Sequence, residues 1–203
     1  MSPLSRRALV AAALAVPLVG CGGRPAGQGA GTSPAPRPSG PAAHSSGGAA
    51  PVRLEIPAIG VDTPVMRLGL ARDGSVEVPP VGAHDRAGWY RYSPPPGRTG
   101  PSVILGHVTV GAYGDGVFRR LGRLRRGDRI VARLENGTAA VFAVTRVRTV
   151  AKEDFPTEEV YGNVNRPEVR LITCGGPRED DGYRDNVIVF AAPPAAPDVA
   201  GER

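Results

Sequence analysis

Cysteine, histidine, lysine and aromatic side chains are all scarce in this chain of 203 residues, and each scarcity closes off a class of protein. Two cysteines, Cys21 and Cys174, cannot build a disulfide-dense secreted scaffold. Three histidines, His44, His84 and His107, are scattered without the ligand spacing of a zinc site. Lys152 is the only lysine, so arginine carries the net charge of +6. Those arginines are dispersed, and no recognition helix or aromatic run of the RNA-binding type accompanies them, so no nucleic-acid partner is expected. No apolar run reaches the ~20 residues that span a bilayer as a helix. Aromatic residues make up only 5% of the chain, whereas glycine (28) and proline (22) are abundant. That balance favours many turns and an extended segment over long helices.

The termini have their own logic. Arg6 and Arg7 precede the apolar run from Ala8 to Gly20, the charged and hydrophobic regions of a signal peptide. The run ends in Leu18-Val19-Gly20-Cys21, which resembles the bacterial lipobox; by that resemblance Cys21 is lipidated and becomes the mature N-terminus. The alternative is a plain secretory cleavage region with an incidental cysteine. Ser5-Arg6-Arg7 also resembles part of a twin-arginine signal. The expected organisation is a signal peptide over 1–21, a Gly/Pro/Ala/Ser-rich tether over 22–51, a globular domain over 52–192 and a flexible tail over 193–203. The tether holds too few large apolar side chains to offset its ordering entropy. As a coil it spans roughly 30 Å, enough to hold a domain off a membrane surface. The chain is thus expected to be exported.

Between Val52 and Ala192 the pattern is one of short β-like runs broken by turns. Val52–Ile56, Val61–Met66, Ser75–Val78, Ser102–Leu105, Val169–Thr173 and Val187–Ala191 all read as strands. Asp73-Gly74 marks a turn before the third of them. Ile130, Ala132 and Leu134 alternate with arginine and glutamate, Asn136-Gly137 turns the chain, and Ala139–Val150 runs back as a β-branched stretch, which predicts a hairpin. Only Val117, Phe118, Leu121 and Leu124 carry helical spacing, enough for a helix of two or three turns. The fold class is therefore all-β, a barrel or a sandwich.

Export leaves Cys174 without an intramolecular partner if Cys21 carries lipid, so it is either a small buried hydrophobe or a free thiol. A cysteine nucleophile needs a base or cation nearby to make it a thiolate. His107 in "VILGHVT" ends an apolar strand, as Cys174 does in "LITCGG", and Arg184 lies just before the last strand in "GYRDNVIVF". His44 falls in the tether and His84 in a loop-like stretch. The residue types alone leave core packing and nucleophile both open.

Taken in order, these segments resemble the sortase family of cysteine transpeptidases. "LITCGG" is similar to the family's catalytic-cysteine strand, "ILGHV" to its histidine segment and "YRDNVIVFA" to its arginine and final strand. "RLEIPAIGVDTPV" and "GWYRYSPPPGRTGPSVILGHV" resemble its first strands and the approach to the histidine. The Cys-Gly-Gly and Arg-Asp-Asn-Val patterns look most like the actinobacterial class F group. The resemblance covers about Val52 to Ala191. It implies a closed β-barrel of about eight strands with one or two short helices, and a site of His107, Cys174 and Arg184. It further implies cleavage of an LPXTG-like sorting signal between Thr and Gly through a thioacyl intermediate, and transfer to an amine such as a cell-wall precursor. Thr173 would contact the substrate or support the nucleophile, and Leu105 would line its groove. No cofactor is implied, and no acidic cluster suggests calcium stimulation. The expected partners are sorting-signal-bearing secreted proteins, an acceptor amine and, through Cys21, the membrane. The alternatives are a hydrolytic thiol peptidase of such peptides and a non-catalytic lipid-anchored binding barrel. A cysteine L,D-transpeptidase is disfavoured because its Ser-His-Gly-Cys type of motif is missing.

Overall fold

The structure is a computed structural model, and it describes residues 48–179 and 182–195. The expected signal peptide, Cys21 and most of the expected tether lie outside the described residues, as does the end of the expected tail. Ten strands occur among the described residues: β1 (Pro51–Ile56), β2 (Val61–Leu68), β3 (Ala87–Tyr90), β4 (Gly100–Leu105), β5 (Thr109–Val110), β6 (Gly114–Asp115), β7 (Arg129–Leu134), β8 (Ala139–Ala151), β9 (Pro167–Glu179) and β10 (Gly182–Ala192). Eight of them close into a barrel in the order β1-β2-β3-β4-β9-β10-β8-β7, and β5-β6 form a separate two-stranded piece. Closure by the β7–β1 pair removes both sheet edges. The all-β reading and the eight-stranded barrel are both met. Ala50 is already buried and its carbonyl accepts from Glu135 N–H, so barrel packing starts just ahead of Val52.

Most neighbours are antiparallel, but β2 pairs with β3, and β4 with β9, in parallel. A parallel pair needs a long crossover. Residues 69–86 supply the first and residues 106–166 the second. The barrel interior is filled by Leu54, Ile56, Ile104, Ile130, Phe142, Val144, Val169, Leu171 and Val189, all essentially inaccessible to solvent. A second apolar cluster of Val103, Val160, Ile172, Ile188 and Phe190 covers the outside of β4, β9 and β10. Val160 comes from the one α-helix among the described residues, α1 (Thr157–Tyr161). Burial on both faces explains why "SVIL", "VRLIT" and "VIVFA" read as continuous apolar runs and not as alternating ones.

The predicted β7–β8 hairpin forms as read. Gly137 takes the left-handed conformation (φ 80°), and Asn136 Oδ1 accepts from both the backbone N–H and the hydroxyl of Thr138. Two expectations fail. Val117 to Leu124 makes one 3-10 turn, Leu121–Arg123, in place of a helix of two or three turns. Its hydrogen bonds run i to i−3, and Phe118, Leu121 and Leu124 still plug the core. The apolar spacing marked burial, not helix. Ser75–Val78 is not a strand; only an isolated bridge, Leu70 to Val76, forms there. Pro79 and Pro80 follow at once, and neither can donate to a ladder.

Behind α1 lies a polar network that anchors it. Glu159 receives Arg146 and Arg148 at 2.7 Å each, and Arg170 Nε donates to the Glu159 carbonyl at 3.2 Å. Arg170 is buried and its guanidinium meets Glu168 at 2.5 Å, with Arg166 reaching the other carboxylate oxygen at 2.6 Å. Burial by itself would push the Glu168 carboxyl up, but the two arginines outweigh it and hold it below the usual carboxylate range. A depressed carboxylate adds stability above its unfolded pKa and loses it as pH falls through the folded value. Arg170→Ala strands Glu168 with Arg166 alone and should cost about 3 kcal/mol at neutral pH. In thermal melts the gap to the parent should narrow as pH falls below the carboxylate range; a gap independent of pH would count against this account.

Candidate active site

β4 and β9 run side by side, with Ile104 opposite Leu171 and Leu105 opposite Ile172. The ladder continues past the end of β4, since Gly106 N–H donates to the Ile172 carbonyl at 3.1 Å. Two residues beyond this last pair come His107, just past the end of β4, and Cys174, still on β9. On the far side of β9, Cys174 is the direct partner of Asn186 in the antiparallel β9–β10 pair. Side-chain alternation sets the face: Val103, Ile172 and Ile188 belong to the outer cluster, and Leu105 packs on it. Cys174 and Asn186 share that outer parity. They form a polar pair immediately beyond the apolar pair Ile172–Ile188, and both are partly exposed, as is His107. Cys174 is a free cysteine.

The strip below this pair is apolar, with Tyr90, Phe155, Tyr161 and Val150 packed around the outer cluster. Burial pushes the Tyr161 phenol up, and Tyr90 with it, so both are neutral walls. This apolar cluster borders the pair that carries the thiol.

His107 is fixed from the crossover between β2 and β3. Its Nε2 lies 2.6 Å from the carbonyl oxygen of Pro79, which is buried. A carbonyl only accepts, so Nε2 carries a proton in this contact. The His107 carbonyl in turn accepts from Phe118 N–H, tying the ring's backbone to the core plug. Thr109 Oγ1 and the Tyr183 hydroxyl meet at 2.7 Å, joining the chain just after His107 to the start of β10.

The remaining expected residues fall around this pair. Arg184 lies where the β9–β10 register shifts, between Tyr183 and Asp185, and is exposed. Its Nε is 3.5 Å from Asp185 Oδ1 and its Nη1 is 3.9 Å from Glu179 Oε1. Thr173 is buried at 4% exposure on the opposite side of the strand from Cys174, and its hydroxyl has no hydrogen-bond partner. Leu105 comes two residues before His107. His84 is elsewhere, stacked on Tyr113 with ring centroids 5.4 Å apart. The acidic stretch after Cys174 is no long loop: β9 runs on to Glu179 and β10 resumes at Gly182. The two glycines after the cysteine permit this. A side chain at 175 would meet Val187 at 2.6 Å, and one at 176 would collide with the Asp185 carboxylate. Among the described residues no group of three or more His, Cys, Asp or Glu is placed to hold a metal ion.

Pro79 and Asn186 were not singled out from the sequence. Asn186 does share the two-residue period of Ile188 and Phe190, but only the cross-strand register shows it facing Cys174. Nothing local in "VPPV" points at a histidine 28 residues downstream.

A histidine and a cysteine at the ends of neighbouring parallel strands of a closed barrel is the site expected of the family named above. The family model of the Sortase domain matches residues 54–194. The chain belongs to the sortase family. Sortases are cysteine transpeptidases of the cell surface that act on sorting-signal-bearing proteins and amine acceptors. Solved sortases share the fold. Sortase C-1 from Actinomyces oris is 22% identical, with 68% of this chain and 70% of that one covered and a TM-score of 0.54. Sortase A from Corynebacterium diphtheriae is 22% identical over 74% and 64% of the two chains, with a TM-score of 0.55. A sortase D5 transpeptidase from Clostridium perfringens is 22% identical over 70% and 78%, with a TM-score of 0.52. No curated protein matches the sequence.

Proposed function

We propose that this sortase cleaves an LPXTG-like sorting signal between Thr and Gly and transfers the acyl part to an amine on the cell surface. The observation that supports the reading is the parallel β4–β9 pair: Cys174 is a partly exposed free cysteine two residues beyond Ile172 on β9, and His107 comes two residues beyond Leu105, the β4 partner of Ile172. In the first half-reaction the Cys174 thiolate adds to the Thr carbonyl carbon. The C–N bond to Gly then breaks, and His107 gives its proton to the departing amine. In the second, the acceptor amine attacks the thioester, His107 takes the amine proton, and the thiolate leaves. Arg184 supplies hydrogen bonds to the developing oxyanion. It does so by leaving Asp185 and Glu179, contacts that are loose enough to exchange for a substrate oxygen. Leu105, with Ile172 beneath the thiol, receives the apolar side chains of the signal. Thr173 acts from the buried side of the strand, setting the packing behind Cys174.

The finer placement follows the sequence patterns. Cys-Gly-Gly and Arg-Asp-Asn-Val argue for the class F group, and the lipobox at Cys21 for a lipid anchor in place of a spanning helix. The clients would be exported proteins bearing the signal.

The decisive measurement is mass spectrometry of the full chain incubated with an LPXTG peptide, with and without an amine nucleophile. The expected products are a mass adduct on the Cys174 peptide and, with amine present, a ligated peptide. Free threonine acid alone would replace transfer by hydrolysis, and an intact peptide across a library of sorting motifs would leave a binding barrel.

A further inference from the structure

Cys174 has two strand neighbours. Towards β10 its direct register partner is Asn186; towards β4 the paired strand ends at Leu105, two residues before His107. In an antiparallel pair, directly opposed Cβ atoms lie about 4.5–5.5 Å apart on one face of the sheet, closer than any other cross-strand pair. Asn186 is therefore the β10 side chain nearest the sulfur, while Arg184 is set off by the register shift and engaged with Asp185 and Glu179. No hydrogen bond to another described residue commits the Asn186 carboxamide, although its neighbours Thr109, Tyr183, Arg184 and Asp185 all have side-chain partners. A carboxamide carries two N–H donors and no charge.

We propose that Asn186 is the third member of the site, donating a hydrogen bond to the Cys174 thiolate and holding the sulfur between itself and His107. Resting on the nucleophile reading of Cys174, this gives the site a division of labour. His107 moves protons on one side, and Asn186 steadies the anion on the other without competing for them. Arg184, one bulge further out, is left free for the substrate's oxygen. A neutral donor can serve here without a second cation: a hydrogen bond to the charged form favours the thiolate, and the gain in thiolate fraction exceeds the accompanying loss of intrinsic nucleophilicity. The other charged or titratable groups around the thiol are His107 at the end of β4, Arg184 and Asp185 on β10, and Glu179 at the end of β9. Asp185 is held over Gly176 and against Arg184, so its charge is partly answered.

The test is the pH dependence of iodoacetamide alkylation of the full chain, read at the Cys174 peptide by mass spectrometry so that Cys21 does not contribute. In Asn186→Ala the midpoint should rise by about one pH unit, the worth of one hydrogen bond to a charged group. At pH values below the midpoint the tenfold smaller thiolate fraction, offset in part by the greater nucleophilicity of a more basic thiolate, slows alkylation about threefold. Asn186→Asp keeps the shape, removes the donor and adds a negative charge, and should shift the midpoint further up. Circular dichroism and a thermal melt establish that each variant keeps the barrel. Profiles that superimpose on the parent in both variants overturn the proposal, as does a lowered melting temperature with an unmoved midpoint, which would make Asn186 a packing residue. The assay involves no peptide substrate. An enzyme that cleaves no sorting peptide but whose thiol profile follows residue 186 retains this inference while the substrate reading falls.

Discussion

Cys174→Ala should abolish both the acyl adduct and the cleavage of an LPXTG-type peptide, a loss of at least about 10⁴-fold. The argument is one of geometry before reactivity. Cys174 is partly exposed at the end of an apolar run, on the outer face of the barrel, with no disulfide partner among the described residues. A packing cysteine would point the other way. Position 173 does so, and its Thr side chain is buried at 4% exposure. Removing Sγ leaves the β9–β10 ladder untouched and empties little volume, so stability should change by less than about 1 kcal/mol. Melting and activity are therefore expected to separate cleanly in this variant. Cleavage that survives in Cys174→Ala would remove the thiol from the mechanism, whatever the fold.

His107→Ala is the second large effect, about 10²–10⁴-fold in kcat/KM, because both half-reactions pass a proton through that ring. It also has a structural cost that Cys174→Ala lacks. The ring's Nε2 donates to the buried Pro79 carbonyl, and losing the donor leaves that oxygen unsatisfied, at about 1–3 kcal/mol. The two costs can be pulled apart with His107→Gln, whose amide N–H offers a donor in a similar place but cannot act as an acid–base group near neutral pH. The expected pattern is a melting temperature near the parent's with activity still as low as in His107→Ala. Recovery of activity in His107→Gln would make the residue a strut for the 69–86 crossover and end its role as proton carrier.

The anchoring of α1 bears on the same site from below. Val160 is fully buried against Val103 and Ile172, so whatever holds Glu159 in place also holds the wall of the groove. Arg170 is central to that hold, which is why its removal is expected to be felt in stability even though it lies on the strand several residues before Cys174.

Much was legible from residue order alone. Alternation in β7, the Asn136-Gly137 turn and the continuous apolar runs of β4, β9 and β10 determined an all-β domain and most strand positions, because a period of two and a φ-positive turn are local properties. The short motifs around His107, Cys174 and Arg184 named those residues because each sits at the end of, or just before, such a run. What only the tertiary structure decided is non-local. The parallel pairing of β4 with β9 brings the strand that leads to His107 alongside the strand that carries Cys174, although the two residues are 67 positions apart in sequence, and no local signal states a register. The same holds for Pro79 reaching His107 and for Asn186 facing the thiol. The failed helix at Val117–Leu124 shows the converse. Its apolar spacing reported correctly that those side chains are buried, but the carbonyl of His107, brought in by the fold, claims the Phe118 N–H, and only Leu121–Arg123 closes into a single tight turn. Burial is written in side-chain type, whereas the partners that surround a thiol are fixed by which strands the barrel closes side by side.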